Sequence, residues 1–570
     1  MKARTLKRLR ILCATIAVIA ATTAAASGTD WSSFLFDSAG SRYNAAETAI
    51  TPANIGQLQL KWAFVVPGAD GIASSQPAVA NGMLYFGGRN GLFYALDAVT
   101  GQTRWSFDSS AVVGAAVNTL LPNATTDSGQ SMPNLLRDGP AVADGVVYFG
   151  DFYGFLYALD AASGRLLWAT EVEPHRDAII TSSPTVYGGR VFVGLSSKEV
   201  FNPTLPNYPC CQARGGVAAL DAHTGELLWK RYTVPPSKQL AGTFLGLPRY
   251  APSGGPVWSS PAIDAASQTL VIGSGQNYTG TVPYDGHSAC SDPVSSGCSD
   301  SVIAFDLNTG QQKWARQMLG GDSWTAACVL LPNSALGNCP VSGPDYDVGA
   351  SPNIFKLGTR TVVAVGQKSG LFHLLDLATG DIIWDLRLAT GNGPAGRAGE
   401  NGVQWGSAWD GHSIYVATYN AKPGTLYALD PAATDPALRI RWSTPNPADG
   451  CKTGGAKSAS ASSCDVSMGQ AVSATPGLVF EGSRDGKFRV FSAAAGQILY
   501  TYDTVQSYTG VNGVKGKGGS IGHGGVVISH GMVYVNSGYA TSDAQHSDAN
   551  SGIRGQNAVV LAFGLPGSTP

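Results

Sequence analysis

Apolar and small residues alternate along this chain in short bursts separated by tight-turn dipeptides. The stretch "PAVADGVVYFGDFYGFLYALDAASGRLLW", residues 140–168, shows the pattern in full. Its period of two predicts four strands, with turns at Asp144-Gly145, Tyr153-Gly154 and Ser163-Gly164. The second half of that unit recurs. "ALDAVTGQTRW" ends at Trp105, "ALDAASGRLLW" at Trp168, "ALDAHTGELLW" at Trp229, "AFDLNTGQQKW" at Trp314 and "LLDLATGDIIW" at Trp384. Weaker copies end at Trp442 and Tyr500, and "TPANIGQLQLKW", ending at Trp62, keeps only the second half.

These eight units lie 43 to 85 residues apart. Four strands per unit describe a propeller blade, and a flat indole at the same place in each unit predicts packing between blades. The half-copy at Trp62 has no strands before it, and "NAVVLAFGL" near the C-terminus has none after it. The two ends are therefore expected to share the last blade. The predicted fold is all-β: an eight-bladed β-propeller with tryptophan-docking repeats, closed by N- and C-terminal strands.

Composition agrees. Gly is 72 of 570 residues, near twice the usual ~7%, and charged residues are 13%, about half the usual ~25%. Residues 1–26 read as a signal peptide: Lys2, Arg4, Lys7, Arg8 and Arg10, then an apolar run, then Ala24-Ala25-Ala26. That run is too short and too rich in Ala and Thr for a membrane span. The expected organisation is this export signal followed by one propeller domain over 27–570, working in the periplasm or outside the cell. Without the signal, 32 Lys+Arg face 39 Asp+Glu, a balance that argues against nucleic acid. Eight cysteines remain in an exported chain, which predicts disulfides. Proximity pairs Cys210 with Cys211, Cys290 with Cys298, Cys328 with Cys339 and Cys451 with Cys464. None sits in a Cys-x-x-Cys-His haem motif.

The "ALD…TG…W" repeats behind a signal peptide resemble the pyrroloquinoline quinone (PQQ) dehydrogenases, over nearly the whole chain after Asp30. Non-catalytic envelope-assembly propellers share the repeat, so the loops carry the comparison. "DAIITSSPTVYGGRVFVGLSSKE" is similar to a family stretch that implies Thr181 and Ser196 as partners of the cofactor carboxylates and Glu199 as a calcium ligand. Calcium takes hard oxygen ligands, so a carboxylate suits it. "GGPVWSSPAIDAASQTLVIGSGQNYTG" implies Trp258 as the floor beneath the quinone, with a calcium-binding amide at Gln276 or Asn277. "AVGQKSGLFHLLDLATG" implies Lys368 at the quinone oxygen. "GVQWGSAWDG" implies Gln404 and Trp405 at the cofactor rim, and "LLRDGPAVADG" implies Arg137 at its carboxylates.

Alcohol oxidation needs a carboxylate base beside the calcium. The resemblance places it just before the "SVIAFD" strand. Asp300 is preferred there, also as a calcium ligand, with Asp292 and Asp285 as alternatives; Asp345 and Asp347 in "GPDYDVGASP" are read as turn-formers. The methanol- and ethanol-oxidising relatives carry a ring disulfide on one cofactor face, just before the matching arginine. Here that place holds no cysteine. Cys210 and Cys211 follow Glu199 instead, and either reach the cofactor from the next blade or clamp an insertion. With the remodelled 284–298 loop, these departures are similar to the polyvinyl alcohol dehydrogenases. The resemblance implies calcium- and PQQ-dependent oxidation of secondary alcohols, polymeric or small, with a soluble cytochrome c as acceptor. The alternatives are a non-catalytic envelope-assembly scaffold and a PQQ sugar or aldehyde dehydrogenase.

Overall fold

The computed structural model describes residues 30–68, 75–113, 135–205, 208–279, 298–320, 322–330, 343–391, 402–419, 423–447, 449, 466–538 and 557–567. These form eight antiparallel sheets of propeller type. Seven blades are built in chain order over 78–108, 141–171, 185–232, 262–317, 353–387, 408–445 and 473–503. The eighth takes strands Val527–Ser529, Met532–Ser537 and Val559–Gly564 from the C-terminal end and its outer strand, Gln59–Val65, from the N-terminal end. Gln59 faces Gly564 and Val65 faces Val559, so the ring closes as the sequence predicts. Among the described residues no helix is long and apolar enough to cross a membrane.

The repeat motif has a local and a long-range purpose. Locally, the Asp of "ALD" turns the chain: Asp221 Oδ1 accepts from the backbone N–H of Thr224 at 2.8 Å and from its hydroxyl at 3.0 Å. At longer range, the closing Trp of one blade lies on the turn glycine of the next. A Cβ added at Gly101, Gly164, Gly225, Gly310, Gly380 or Gly496 would lie 2.5–2.6 Å from the ring of Trp62, Trp105, Trp168, Trp229, Trp314 or Trp442 respectively. Most of these indoles also donate to the carbonyl just past the "ALD" of the neighbour, as Trp168 Nε1 does to Ala222 at 3.1 Å and Trp442 Nε1 to Ala493 at 2.9 Å. Tyr500 makes the corresponding reach to Leu58 at 3.1 Å.

First strands of neighbouring blades meet around a central channel. Residues 31–44 thread it. Their carbonyls accept from first-strand N–H groups of six blades: Trp31 from Val79, Ser32 from Val142, Ser38 from Ile263, Ala39 from Ile354, Ser41 from Trp409 and Arg42 from Ala474, at 2.6–3.0 Å. The Asn44 amide reaches the eighth blade, donating to Ile528 at 2.9 Å. Arg42 is fully buried, with its guanidinium bonded to Val472, Phe34, Gln76 and Ser473. Burial, partly offset by Glu481, lowers its pKa to about 9.

The Trp–Gly docking makes a measurable difference between two left-handed glycines. Gly225 (φ +74°) faces the Trp168 ring, whereas Gly145 (φ +76°) faces open space. Gly145→Ala should cost only the backbone penalty of about 1–2 kcal/mol, and Gly225→Ala about 2–5 kcal/mol in all. Urea unfolding of both variants checks this, and equal losses would remove docking as a stabilising contact.

Candidate active site

The segments leading into the first strands converge on one cavity of about 160 Å³. Gln76 comes from the first blade and Arg137 from the second. Thr181 and Ser183 come from the third, Trp258 and Ser260 from the fourth, and Gly349 and Ser351 from the fifth. Gln404 and Trp405 come from the sixth and His523 from the eighth. Residues just past the second strands complete the wall: Val200 and Phe201 in the third blade, Gln276 and Tyr278 in the fourth, Lys368 in the fifth. Phe34 of the channel segment also lines it.

Two aromatic rings set its shape. Trp258 meets Trp405 edge to face, with centroids 5.1 Å apart. Gly349 is obligatory beneath Trp258, because a Cβ there would lie 1.9 Å from the indole. Trp405 holds a left-handed φ of +67°, a conformation uncommon for a non-glycine residue and enriched at ligand sites.

The charges are segregated. At one end Arg137 lies over Trp405, 5.8 Å from its centroid, with Nη2 3.1 Å from His523 Nδ1. His523 packs on the same ring at 4.0 Å. At the other end Lys368 Nζ lies 3.0 Å from Asp345 Oδ1 and 2.7 Å from Asp347 Oδ2, and 5.4 Å from the Trp258 centroid. Burial opposes the lysine's charge, but Asp345 and Asp347 outweigh it and hold the ammonium above its ordinary value. Asp347 also accepts the Gln276 backbone N–H at 2.8 Å, and the Gln276 side-chain amide lies against it.

Behind this wall are acceptors without donors. Asn277 Oδ1 and both oxygens of Asp300 are buried and have no hydrogen-bond partner among the described residues. Burial first, then Asp322, Asp347 and Asp345, push the Asp300 carboxyl well above the usual range. No three His, Cys, Asp or Glu among the described residues close around a common point as a ready-made metal site. What is offered to a hard cation is a mixed set of one amide and one carboxylate, whose orphaned oxygens a cation would satisfy.

The structure brings Arg137, Thr181, Ser196, Trp258, Gln276, Lys368, Gln404 and Trp405 together at the cavity. Asn277 and Asp300 are not among the lining residues. Glu199 is likewise not among the lining residues. Its carboxylate is buried and engaged by the Tyr208 hydroxyl at 2.8 Å and by the backbone N–H groups of Gln212 (2.8 Å) and Ala213 (2.6 Å). It thus holds the loop after Cys210–Cys211. That pair is disulfide-bonded and packs with Tyr208, Tyr278 and Val200, so it touches cavity-lining residues without lining the cavity itself. Cys328 is disulfide-bonded and Cys298 is buried; Cys290, Cys339, Cys451, Cys464, Asp285 and Asp292 lie outside the described residues.

Asp345 and Asp347 are a correction: both line the cavity and pair with Lys368, because the linker into the fifth blade runs along the wall instead of turning at the surface. His523 and Tyr278 were missed. The available signals were a histidine in the glycine-rich approach "SIGHGGVV" to a blade, and a tyrosine directly after the candidate amides.

A family model described as outer membrane protein assembly factor BamB matches residues 18–231 and 122–298. A polyvinylalcohol dehydrogenase from Sphingopyxis sp. (strain 113P3) is 33% identical over 534 residues, covering 91% of this chain and 74% of that relative. One from Pseudomonas sp. is 32% identical over 537 residues, with the same coverage. Among solved structures, a quinohemoprotein alcohol dehydrogenase from Pseudomonas putida HK5 superposes with a TM-score of 0.65 at 20% identity, over 95% of this chain and 81% of that one. With this identity sustained along the chain, on the propeller those structures share, the chain belongs to the PQQ-dependent (quinoprotein) alcohol dehydrogenase family that includes the polyvinyl alcohol dehydrogenases.

Proposed function

We propose that this protein oxidises secondary alcohol groups, those of polyvinyl alcohol included, using PQQ and calcium, and passes the electrons to a soluble cytochrome c. One observation carries the reading. The cavity puts a flat indole between a cationic end and a lysine clamped by two aspartates, beside unsatisfied buried oxygens. That arrangement fits a planar, polyacidic quinone with a hard cation next to it. When bound, PQQ supplies a quinone that accepts the electron pair of the alcohol, and calcium supplies positive charge beside its carbonyl.

The residues divide the remaining work. Trp258 supports the planar ring system. Arg137, with Thr181, Ser196 and Gln404, donates to carboxylates at the rim. Trp405 and His523 keep the Arg137 guanidinium in place. Lys368, held by Asp345 and Asp347, would present a fixed positive charge to the quinone oxygen. Asn277 and Asp300 would hold the cation, with Gln276 beside them. Glu199 fixes the Cys210–Cys211 loop, which buttresses Tyr278 and Val200 from behind. Periplasmic action is supported by the basic and apolar start of the chain and by the Cys210–Cys211 disulfide.

Purified protein should oxidise 2-propanol and polyvinyl alcohol in a dye-linked assay only when both PQQ and Ca²⁺ are supplied. Chelation of calcium should abolish the rate. No oxidation of any alcohol and no PQQ retained on gel filtration would favour the scaffold reading.

Glu199→Gln removes the charge that three loop donors share. It should lower stability by about 1.5–3 kcal/mol, read as a lower thermal midpoint. The calcium concentration for half-maximal activity should shift far less than in Asp300→Asn. A larger shift in the Glu199 variant would return Glu199 to the cation.

A further inference from the structure

Two donors in the cavity wall lack an acceptor. Trp405 Nε1 and the Tyr278 hydroxyl are both buried with no hydrogen-bond partner among the described residues. The indole lies under Arg137 at the cationic end. The phenol belongs to the other end. It follows Gln276 by two residues, and Asp347, Glu199 and Asp345 are the charged groups that bear on it. Ser196, another lining residue, stands beside the phenolic oxygen as a donor, so it supplies no acceptor for the phenolic O–H.

Tyr278 is held firmly. It lies just past the second strand of the fourth blade, Thr269–Gly273. Its backbone N–H donates to Ser253 at 3.0 Å, and a Cβ added at Gly254 would lie 2.7 Å from that nitrogen. Its ring is 1% exposed and packs with Tyr208, Cys210, Cys211 and Val200. Little rotamer freedom is left to lose when a ligand accepts from the hydroxyl. Burial first, then Asp347 and Glu199, push the phenol well above its ordinary value, so near neutrality it keeps its proton and can donate it.

We infer that Tyr278 selects the substrate: its hydroxyl donates a hydrogen bond to a second oxygen of the alcohol, two carbons along from the hydroxyl being oxidised. The inference rests on the alcohol-oxidation reading above and narrows it to 1,3-diols. In that reading the acceptors of the cofactor are met by Arg137, Thr181, Ser196 and Gln404 at the rim and by Lys368 at the quinone. The phenol is the donor left for the substrate. Polyvinyl alcohol carries a hydroxyl on every second carbon, so each unit brings acceptors on both sides of the reacting one. A monohydric secondary alcohol offers only alkyl surface there and leaves the buried donor unmet. A site built to hydrogen-bond a substrate group discriminates against the analogue that lacks it, because its own polar atom is then unpaired.

The test uses the whole chain loaded with PQQ and Ca²⁺, and two substrates of one carbon skeleton, 2-pentanol and 2,4-pentanediol. In wild type, kcat/KM should favour the diol beyond the statistical advantage of its two hydroxyls. Tyr278→Phe keeps the ring and its packing, and that preference should fall by about 2–12-fold. PQQ affinity, read by fluorescence quenching, should stay near wild type. A wild type with no preference for the diol would overturn the inference, as would a Tyr278→Phe variant that retains the preference. A variant that binds PQQ more weakly and slows on both alcohols alike would assign the hydroxyl to the cofactor and overturn it too. A wild type that oxidises neither alcohol would instead bring down the functional reading beneath it.

Discussion

The innermost edges of the blades set the terms for everything else. A first strand at the channel has no neighbour on its inner side, and an unpaired row of N–H groups is costly when buried. Residues 31–44 answer most of that demand by offering carbonyls to the first strands of six blades in succession. With Asn44 reaching the eighth blade, the segment ties seven of the eight blades to one another. Phe34, on the same segment, then forms part of the cavity wall. The element that satisfies the fold's backbone thus helps to shape its site.

Around that axis the blades are held by one contact repeated in register, an indole over a glycine. This is why the fold could be read from sequence. A Trp at a constant distance from a Thr-Gly or Ser-Gly turn is a spatial contact written as a period. It survives wherever both partners do. In the sixth blade "ALDPAATDPALRIRW" offers no turn glycine, and the Trp384 indole still donates to Pro431 at 3.3 Å. Closure by the two ends was legible for the same reason, since each end lacked the strands the other had. The channel segment was not legible. "WSSFLFDSAGSRYN" pairs through its backbone, which leaves no side-chain pattern to read.

The site was legible where one residue carries its own geometry. A Trp outside the repeat register, as at Trp258, and a Lys after a second strand, as at Lys368, both proved to face the cavity. It was illegible where function depends on competition among like groups. Nothing in "GPDYDVGASP" separates two aspartates that cap a turn from two that clamp a lysine; the path of the linker decides. Nor does the sequence show that the loop after Glu199 turns the backbone N–H groups of Gln212 and Ala213 onto its carboxylate. Burial, with repulsion from their neighbours, raises the carboxyls of Asp300, Asp322 and Asp345 above the ordinary range, an effect of the fold that the sequence does not show.

The shared eighth blade has a bearing on biosynthesis. Residues 59–65, made early, find their hydrogen-bonding partner only in residues 559–564, made near the end. The channel segment just before them likewise needs six blades in place before its carbonyls are all used. Almost the entire polypeptide is therefore made before residues 31–44 and 59–65 can settle. Premature termination anywhere upstream of that last strand leaves a ring that cannot shut.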